Sequence, residues 1–119
     1  MYYNYKCWFL EVPLNELYDM QLKSLNTKYE DLYLETRFGK SHLVKLGNLN
    51  ANPLLMFHGG NSTTPFYLSG FKYLFEYFCI YAVDTIGHPG KSDQINLSAK
   101  SLEYGEWASD IIESLGLKK

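Results

Sequence analysis

The chain has 119 residues, which is enough for one small domain with a single hydrophobic core. Its apolar share of 46% and charged share of 20% are typical of a soluble globular protein, and an aromatic share of 17% excludes a disordered chain. The net charge of −2, with scattered Lys and Arg, argues against nucleic acid or an anionic membrane as a partner. The sequence shows neither an apolar run near the ~20 residues of a membrane span nor a signal-peptide pattern, so it predicts a cytoplasmic protein.

The two cysteines, Cys7 and Cys79, lack the spacing of a metal or redox motif. Cys79 lies inside the apolar run of residues 78–83, which predicts a small buried side chain rather than a reactive thiol. No metal and no cofactor is expected from the sequence.

The first part of the chain predicts a helix and then a β-hairpin. Residues 13–25 carry apolar side chains at helical spacing, and Pro13 suits a first helical position. Residues 31–38 alternate like a strand, Gly39-Lys40 forms a two-residue turn, and residues 41–46 run back. The helix face consists of Leu14, Leu17, Tyr18, Leu22 and Leu25, and one strand face of Leu32, Leu34, Thr36 and Phe38. Residues 1–12 give no clear prediction.

The pattern changes at residue 54 and predicts a parallel α/β arrangement. Residues 54–57 are apolar at every position, as in a strand buried on both faces. Thr64 and Pro65 predict the N-cap and first residue of a helix whose apolar face continues through Leu68, Phe71, Leu74, Phe75 and Phe78. A second buried strand at 79–83 ends in Asp84, and an amphipathic helix at 101–115 ends at the predicted C-cap Gly116. The βαβα order predicts a parallel sheet with right-handed crossovers.

The sequence His58-Gly59-Gly60-Asn61 directly follows the first of the two buried strands. Ligand sites in open α/β sheets lie at the carboxyl ends of the strands, and glycines there leave backbone N–H groups approachable. A helix follows, whose N-terminus favours negative charge. The segment therefore predicts a place for an anion or a developing oxyanion, with a plain glycine turn as the alternative.

This order of elements, with His-Gly-Gly after an apolar strand, resembles the α/β-hydrolase fold. Residues 84–92, Asp-Thr-Ile-Gly-His-Pro-Gly-Lys-Ser, resemble the Asp-x-x-Gly-x-Gly-x-Ser loop that follows the fourth strand in many of these hydrolases. Here Pro89 is an extra residue, and Ile86 stands where Arg is common. The resemblance covers residues 29–119, with 1–28 as an N-terminal helical segment, and predicts one incomplete domain with a truncated α/β-hydrolase-type sheet.

The resemblance implies roles for the residues of both loops. Gly60 and Asn61 would supply the backbone N–H of an oxyanion hole, Gly59 would permit the tight turn, and His58 would brace the loop. His58 is disfavoured as a general base because no nucleophile within its reach is identifiable. Three residues of the second loop would support the site: Asp84, Gly87 and Ser92.

The catalytic residues of such a hydrolase have no counterpart in the sequence. A nucleophile elbow reads Gly-x-Ser-x-Gly, and the surroundings of Ser62 and Ser92 lack the second glycine. In the family the elbow lies on the next strand, which is expected just after Lys119. The hypothesis is the N-terminal part of a serine hydrolase (a carboxylic-ester hydrolase) that acts on a small acyl substrate and is inactive alone.

Two other functions stay open, a nucleotide-binding βαβ module and a non-catalytic interaction domain of the same fold. Gly90-Lys91-Ser92 invites a P-loop interpretation, but Thr85 stands where that motif needs a glycine. Gly59 and Gly60 followed by Asp84 meet only part of the dinucleotide fingerprint. The remaining histidines, His42 and His88, are expected at the surface or in loops.

The resemblance also implies an uncovered sheet edge. In the family the third strand lies between the fourth and the fifth, so residues 54–57 would expose unpaired backbone groups, which recruit another chain. The helix at 101–115 would lose a neighbour and expose Trp107 and Ile111. We therefore expect a homo-oligomer, through sheet edges or exchange of the last helix, unless residues 1–12 cover the edge.

Overall fold

The computed structural model describes residues 14–58, 63–88, 90–95, 97–98 and 102–117. Helix α1 spans Leu14–Lys23 and is followed by strands β1 (Tyr29–Thr36), β2 (Gly39–Gly47) and β3 (Asn52–Phe57). Helix α2 (Thr64–Ser69) and a short 3₁₀ helix (Lys72–Leu74) lead to strand β4 (Phe78–Val83), and helix α3 covers Glu103–Leu115. Residues 1–13, with the predicted first helical residue Pro13, lie outside the described part.

The strands form one mixed sheet in the order β1-β2-β4-β3. The hairpin β1–β2 and the pair β2–β4 are antiparallel, whereas β3 and β4 are parallel and joined through α2. This confirms the predicted hairpin followed by a parallel βαβα unit. Within the described residues, β3 is paired on one side only and lies at the edge of the sheet.

Helices cover both faces of the sheet, so that side chains of β2 and β4 point alternately into two cores. On one face, Val44, Leu46, Ile80 and Ala82 pack with α1 and α2, including Tyr18, Leu22 and Leu68. On the other face, Leu43 and Val83 pack with Trp107 and Ile111 of α3. Burial on both faces accounts for the apolar run along β4. In β3 the predicted burial on both faces is only partly met, since Met56 is buried, Leu54 and Leu55 are half-buried and Phe57 is exposed. Cys79 is buried and unpaired, as predicted.

The hairpin turn is two residues earlier than predicted. Arg37 and Phe38 form the turn, and Gly39 pairs with Thr36 as the first residue of β2. The Thr36 hydroxyl accepts a hydrogen bond from the Phe38 N–H (3.2 Å) and donates to the Gly39 carbonyl (2.8 Å). This side chain closes the turn over Arg37 and Phe38, which is why Gly39-Lys40 is not the turn.

The long helix predicted from Thr64 to Phe78 is wrong in extent. The helix ends at Ser69, the chain continues as the 3₁₀ helix, and Phe78 is the first residue of β4. Gly70, a poor helix former, stands at the break. The N-cap is Thr63 rather than Thr64. The five side chains assigned to the helix face nevertheless reach one core: Leu68, Phe71, Leu74, Phe75 and Phe78.

The last helix does not expose its apolar anchors, contrary to prediction. Trp107 and Ile111 are 2% and 0% exposed, because α3 packs on the face of the sheet that carries Leu43 of β2 and Val83 of β4. The indole N–H of Trp107 also donates to the buried Ser41 hydroxyl at 2.7 Å. The helix begins at Glu103 rather than residue 101, and Gly116 is the left-handed C-cap, as predicted. Among the described residues, no helix is both long and apolar enough to cross a membrane.

Gly105 within α3 and Gly116 at its C-cap offer a matched test of the helix backbone. A Cβ would meet no atom within 4 Å at Gly105 or at Gly116, but Gly116 has a φ of +69°. Gly105→Ala should therefore raise the free energy of unfolding by about 0.5–1 kcal/mol, because alanine is the better helix former. Gly116→Ala should lower it by about 1 kcal/mol, because alanine is strained at positive φ. Urea unfolding measures both, and changes of the same sign would contradict the assignment of the helix end.

Candidate active site

The candidate site lies where β3 and β4 end at the same edge of the sheet. His58 directly follows β3, and Asp84 directly follows β4. The predicted loop residues Gly59, Gly60 and Asn61 lie outside the described residues, so their role as an oxyanion hole stays a prediction. The structure therefore describes the ends of β3 and β4 but not the residues that follow His58.

His58 joins the two strand ends. Its side chain is buried, and Nε2 accepts a hydrogen bond from the Thr85 N–H at 3.0 Å. A nitrogen that accepts from a backbone amide carries no proton, so in the neutral ring the proton is on Nδ1. The Nε2 atom is thus occupied by the backbone and is not placed to act as a general base.

Asp84 is the centre of a buried polar cluster. Its Oδ1 accepts from the Tyr18 hydroxyl (2.8 Å) and the Thr64 hydroxyl (2.5 Å). Its Oδ2 is 2.8 Å from His42 Nδ1 and accepts from the Lys91 N–H at 2.8 Å. Burial alone would raise the pKa of Asp84, but the hydrogen bonds and positive charge of His42, with the other donors, hold it below its usual range. The carboxylate is therefore charged although it is fully buried.

His42 bridges two carboxylates from inside the sheet. Its Nδ1 faces Asp84, and its Nε2 is 2.7 Å from Asp31 Oδ1. Burial alone would lower the pKa of His42, but the hydrogen bonds and charges of Asp84 and Asp31 raise it above the usual value. Both ring nitrogens therefore donate, and the ring is an imidazolium that balances the buried negative charge.

The expectation that His42 is a surface or loop residue is wrong, since it is 0% exposed and lies in β2. It shares a strand face with Val44 and Leu46, and that face packs against α1. The alternation along residues 41–46 indicates this orientation, because His42 stands two positions before Val44 and such side chains share one face of a strand. Only the partners Asp84 and Asp31 explain why a charged ring is tolerated there.

The loop after β4 closes over Asp84. The Ser92 hydroxyl donates to the Asp84 carbonyl (2.7 Å) and accepts from the His42 N–H (2.8 Å). Gly90 has a φ of +155°, and a Cβ there would lie 3.0 Å from the Asp84 carboxylate. Glycine thus lets the backbone approach closely enough for the Lys91 N–H to bind the carboxylate. Ser92 is fully buried and engaged in support, which is not the setting of a nucleophile.

The same loop is also anchored at its two flanks. The Gly87 N–H donates to the Asp93 carbonyl at 3.0 Å. The Asp93 N–H donates to the Lys40 carbonyl of β2, and the Asp93 carboxylate accepts from the Lys40 N–H at 2.8 Å. On the other side, the Lys91 ammonium pairs with Asp19 of α1. The three predicted supporting residues of this loop, Asp84, Gly87 and Ser92, therefore all lie in its hydrogen-bonded framework.

His88 lies in this loop but is not isolated. Its ring centroid is 6.1 Å from that of His58 and 6.4 Å from that of Tyr104. Partial burial, with a smaller contribution from His58, lowers the pKa of His88. In the described part of the chain, no group of three His, Cys, Asp or Glu side chains is placed to hold a metal ion.

The buried hydroxyl of Tyr18 tests the importance of the Asp84 cluster. Burial, then the charge of Asp84, raises the pKa of Tyr18, so the hydroxyl stays protonated and donates. Tyr18→Phe should lower the free energy of unfolding by about 1.5–3 kcal/mol, because a buried carboxylate loses one donor. Tyr73→Phe, at a residue that is 66% exposed, is the matched control and should change it little. Equal urea midpoints for both variants would contradict the cluster.

Comparison with known proteins identifies the fold. No family model matches the chain. The chain is 32% identical over 103 residues to the carboxylesterase YbfK of Bacillus subtilis (strain 168), covering 87% of the chain and 35% of that protein. It is 29% identical over 104 residues to the uncharacterized carboxylesterase nap of the same organism, with the same two shares. The chain thus spans about a third of the length of the curated relatives that it matches.

Solved structures give the same result. The crystal structure of naproxen esterase (carboxylesterase NP) from Bacillus subtilis superposes with a TM-score of 0.78 at 30% identity, covering 87% of this chain and 36% of that one. The carboxylesterase CesB (YbfK) from the same organism gives a TM-score of 0.76 at 31% identity with the same coverage. The chain therefore has the α/β-hydrolase fold and is homologous to carboxylesterases over about the first third of their length.

Proposed function

We propose that the chain forms the N-terminal part of a serine hydrolase that cleaves esters or related acyl bonds, with Gly60 and Asn61 supplying oxyanion-hole N–H groups. The observation that supports this most is the buried hydrogen bond from Thr85 to His58, which fixes the strand end from which residues 59–62 continue. The similarity to carboxylesterases supplies the reaction class and favours it over a nucleotide-binding module.

In the proposed reaction, a serine from outside this chain attacks the acyl carbonyl of a small substrate, with a histidine and an acid as its partners. The carbonyl oxygen becomes an oxyanion, which backbone N–H groups of Gly60 and Asn61 stabilise. The described residues fix the strand ends: His58, which directly precedes residue 59, accepts from the Thr85 N–H, and the Asp84 cluster fixes the loop after β4. This role requires no cofactor. The cytoplasmic location expected from the sequence also stays a prediction.

The chain alone should show no esterase turnover, because it supplies neither nucleophile nor base to the proposed reaction. Hydrolysis of p-nitrophenyl acetate and butyrate, measured against buffer, is expected to give no saturable rate. Ser62→Ala and Ser92→Ala are the controls. Saturable turnover that one of these variants abolishes would place the nucleophile inside this chain, and turnover that survives both would contradict the proposed site.

The oxyanion hole itself can be tested in a hybrid, with this chain replacing the matching first third of carboxylesterase YbfK. Asn61→Pro removes a backbone N–H that Asn61→Ala keeps, and Gly60→Pro and Gly60→Ala form the second matched pair. Loss of the donor should lower kcat by about 10²–10³-fold relative to the alanine variant. The assignment is wrong if neither proline variant falls below its alanine counterpart. A folded but inactive hybrid would instead favour the non-catalytic interaction domain.

We also propose that β3 recruits a second copy of the chain through the edge at which no strand of the described residues pairs with it. Phe57, the last residue of β3, is 36% exposed and stands at this edge. Sedimentation velocity over a dilution series should show a concentration-dependent oligomer, and the amides of residues 54–57 should exchange faster on dilution. The inner strand β4 is the internal control, since its amides should stay protected throughout. A monomer at every concentration with protected β3 amides would show that the chain covers its own edge.

A further inference from the structure

His42 lies between two carboxylates that differ in their access to water. Asp84 is fully buried, whereas the side chain of Asp31 is 44% exposed. Asp84 is 2.8 Å from His42 Nδ1, and Asp31 is 2.7 Å from Nε2. Nδ1 therefore faces a carboxylate that is shielded from water, whereas Nε2 faces one that water can reach.

The groups that face this ring come from every element packed around it. The Tyr18 hydroxyl of α1 is 3.3 Å from Nδ1, and the Tyr33 ring of β1 is 4.9 Å away between centroids. The remaining charged and titratable groups of the surroundings are Asp31 on β1, Asp84 and Lys91 in the loop after β4, and Asp19 on α1, which pairs with Lys91.

We propose that His42 is a proton-controlled switch whose charged ring holds both carboxylates and whose neutral ring keeps Asp84 and releases Asp31. In the step itself, the Nε2–H bond breaks, the proton goes to solvent, and the electron pair stays on Nε2. The remaining proton is on Nδ1 and continues to donate to Asp84.

The choice of nitrogen follows from the difference in burial. A neutral imidazole has one N–H, so one of the two carboxylates must lose its donor. A carboxylate without access to water pays the larger desolvation penalty when it loses a donor, whereas a half-exposed one can be hydrated. Asp84 therefore keeps the N–H, and the unprotonated Nε2 faces Asp31 with like-signed lone pairs, which drives Asp31 away.

The released side chain has a new partner within electrostatic reach. The pKa of Lys91 is raised against the effect of burial, chiefly by its hydrogen bond and ion pair with Asp19, and the charge of Asp31 adds to this. Deprotonation of His42 thus releases Asp31 from the buried cluster while its charge stays near that ammonium. Because the pKa of His42 is raised, the ring loses its proton at a higher pH than is usual for histidine.

The protonation state of the ring can be observed directly in the intact chain. Long-range proton–nitrogen correlation spectra of the ¹⁵N-labelled protein, recorded from pH 5 to 10, report each ring nitrogen, and spectra of His58→Gln and His88→Gln assign the remaining signals to His42. We expect both nitrogens of His42 to be protonated at neutral pH and Nδ1 alone above its pKa. A neutral ring at pH 6, or a proton that remains on Nε2, would overturn the proposal.

A matched pair of variants tests the partner. Asp31→Asn should lower the midpoint of His42 by about one pH unit or more, because an opposite charge in contact is removed. Asp110→Asn is the control: Asp110 lies on α3, across the sheet from His42, where it pairs with Arg37 of the hairpin turn, so the midpoint should stay unchanged. Near-ultraviolet circular dichroism confirms that each variant is folded. Identical midpoints for both variants would overturn the role of Asp31.

Stability supplies a second readout with a defined sign. Since the folded-state pKa of His42 is raised, its contribution to stability is present below the unfolded pKa and is lost as pH rises through the folded pKa. Urea unfolding across this window should show the fall in the unmodified chain and a smaller one in Asp31→Asn. A fall of the same size in both would contradict the proposed release.

Discussion

A charged carboxylate without access to water must receive hydrogen bonds from the segments around it. Asp84 receives four, two on each carboxylate oxygen, from α1, β2, α2 and the loop after β4. A buried ion that lacks such partners destabilises the protein by several kcal/mol, so all four segments must be in place together. The buried charge of Asp84 therefore constrains both the packing of α1 on the sheet and the position of the loop after β4.

The candidate site depends on the buried charge of Asp84 indirectly. Asp84 fixes the backbone at the end of β4, and its neighbour Thr85 offers the N–H that binds His58. This bond continues the parallel pairing of β3 and β4, which runs to Phe57 and Val83, just beyond the ends of both strands. A loop that binds an oxyanion needs N–H donors that are in position before the reaction begins. A rigid backbone at the start of the loop is therefore part of the proposed mechanism.

Local pattern predicted most of the fold and failed where a partner is far away in sequence. The alternation in β1 and β2, the apolar runs of β3 and β4, and the αL cap at Gly116 depend on near neighbours and were predicted correctly. The break in the helix after Ser69 was missed because Phe71, Leu74 and Phe75 keep an apolar spacing that tertiary packing uses without a helix. The ends of β3 and β4 placed His58 and Asp84 correctly, but the bond between them through Thr85 has no sequence signature. His42 was misplaced because its two partners stand 11 and 42 positions away.

The separations within the Asp84 cluster also order the steps of folding. Asp31 and His42 are 11 positions apart within one hairpin, whereas Tyr18 and Asp84 are 66 apart. Short loops close fast and at low entropic cost, so the hairpin with its Asp31–His42 pair can assemble while a ribosome is still adding later residues. Helix α1 gains its polar anchor only when residue 84 has emerged. The polar contacts of α1 are therefore completed later than those within the hairpin, although its apolar face can already pack on Val44 and Leu46 of β2.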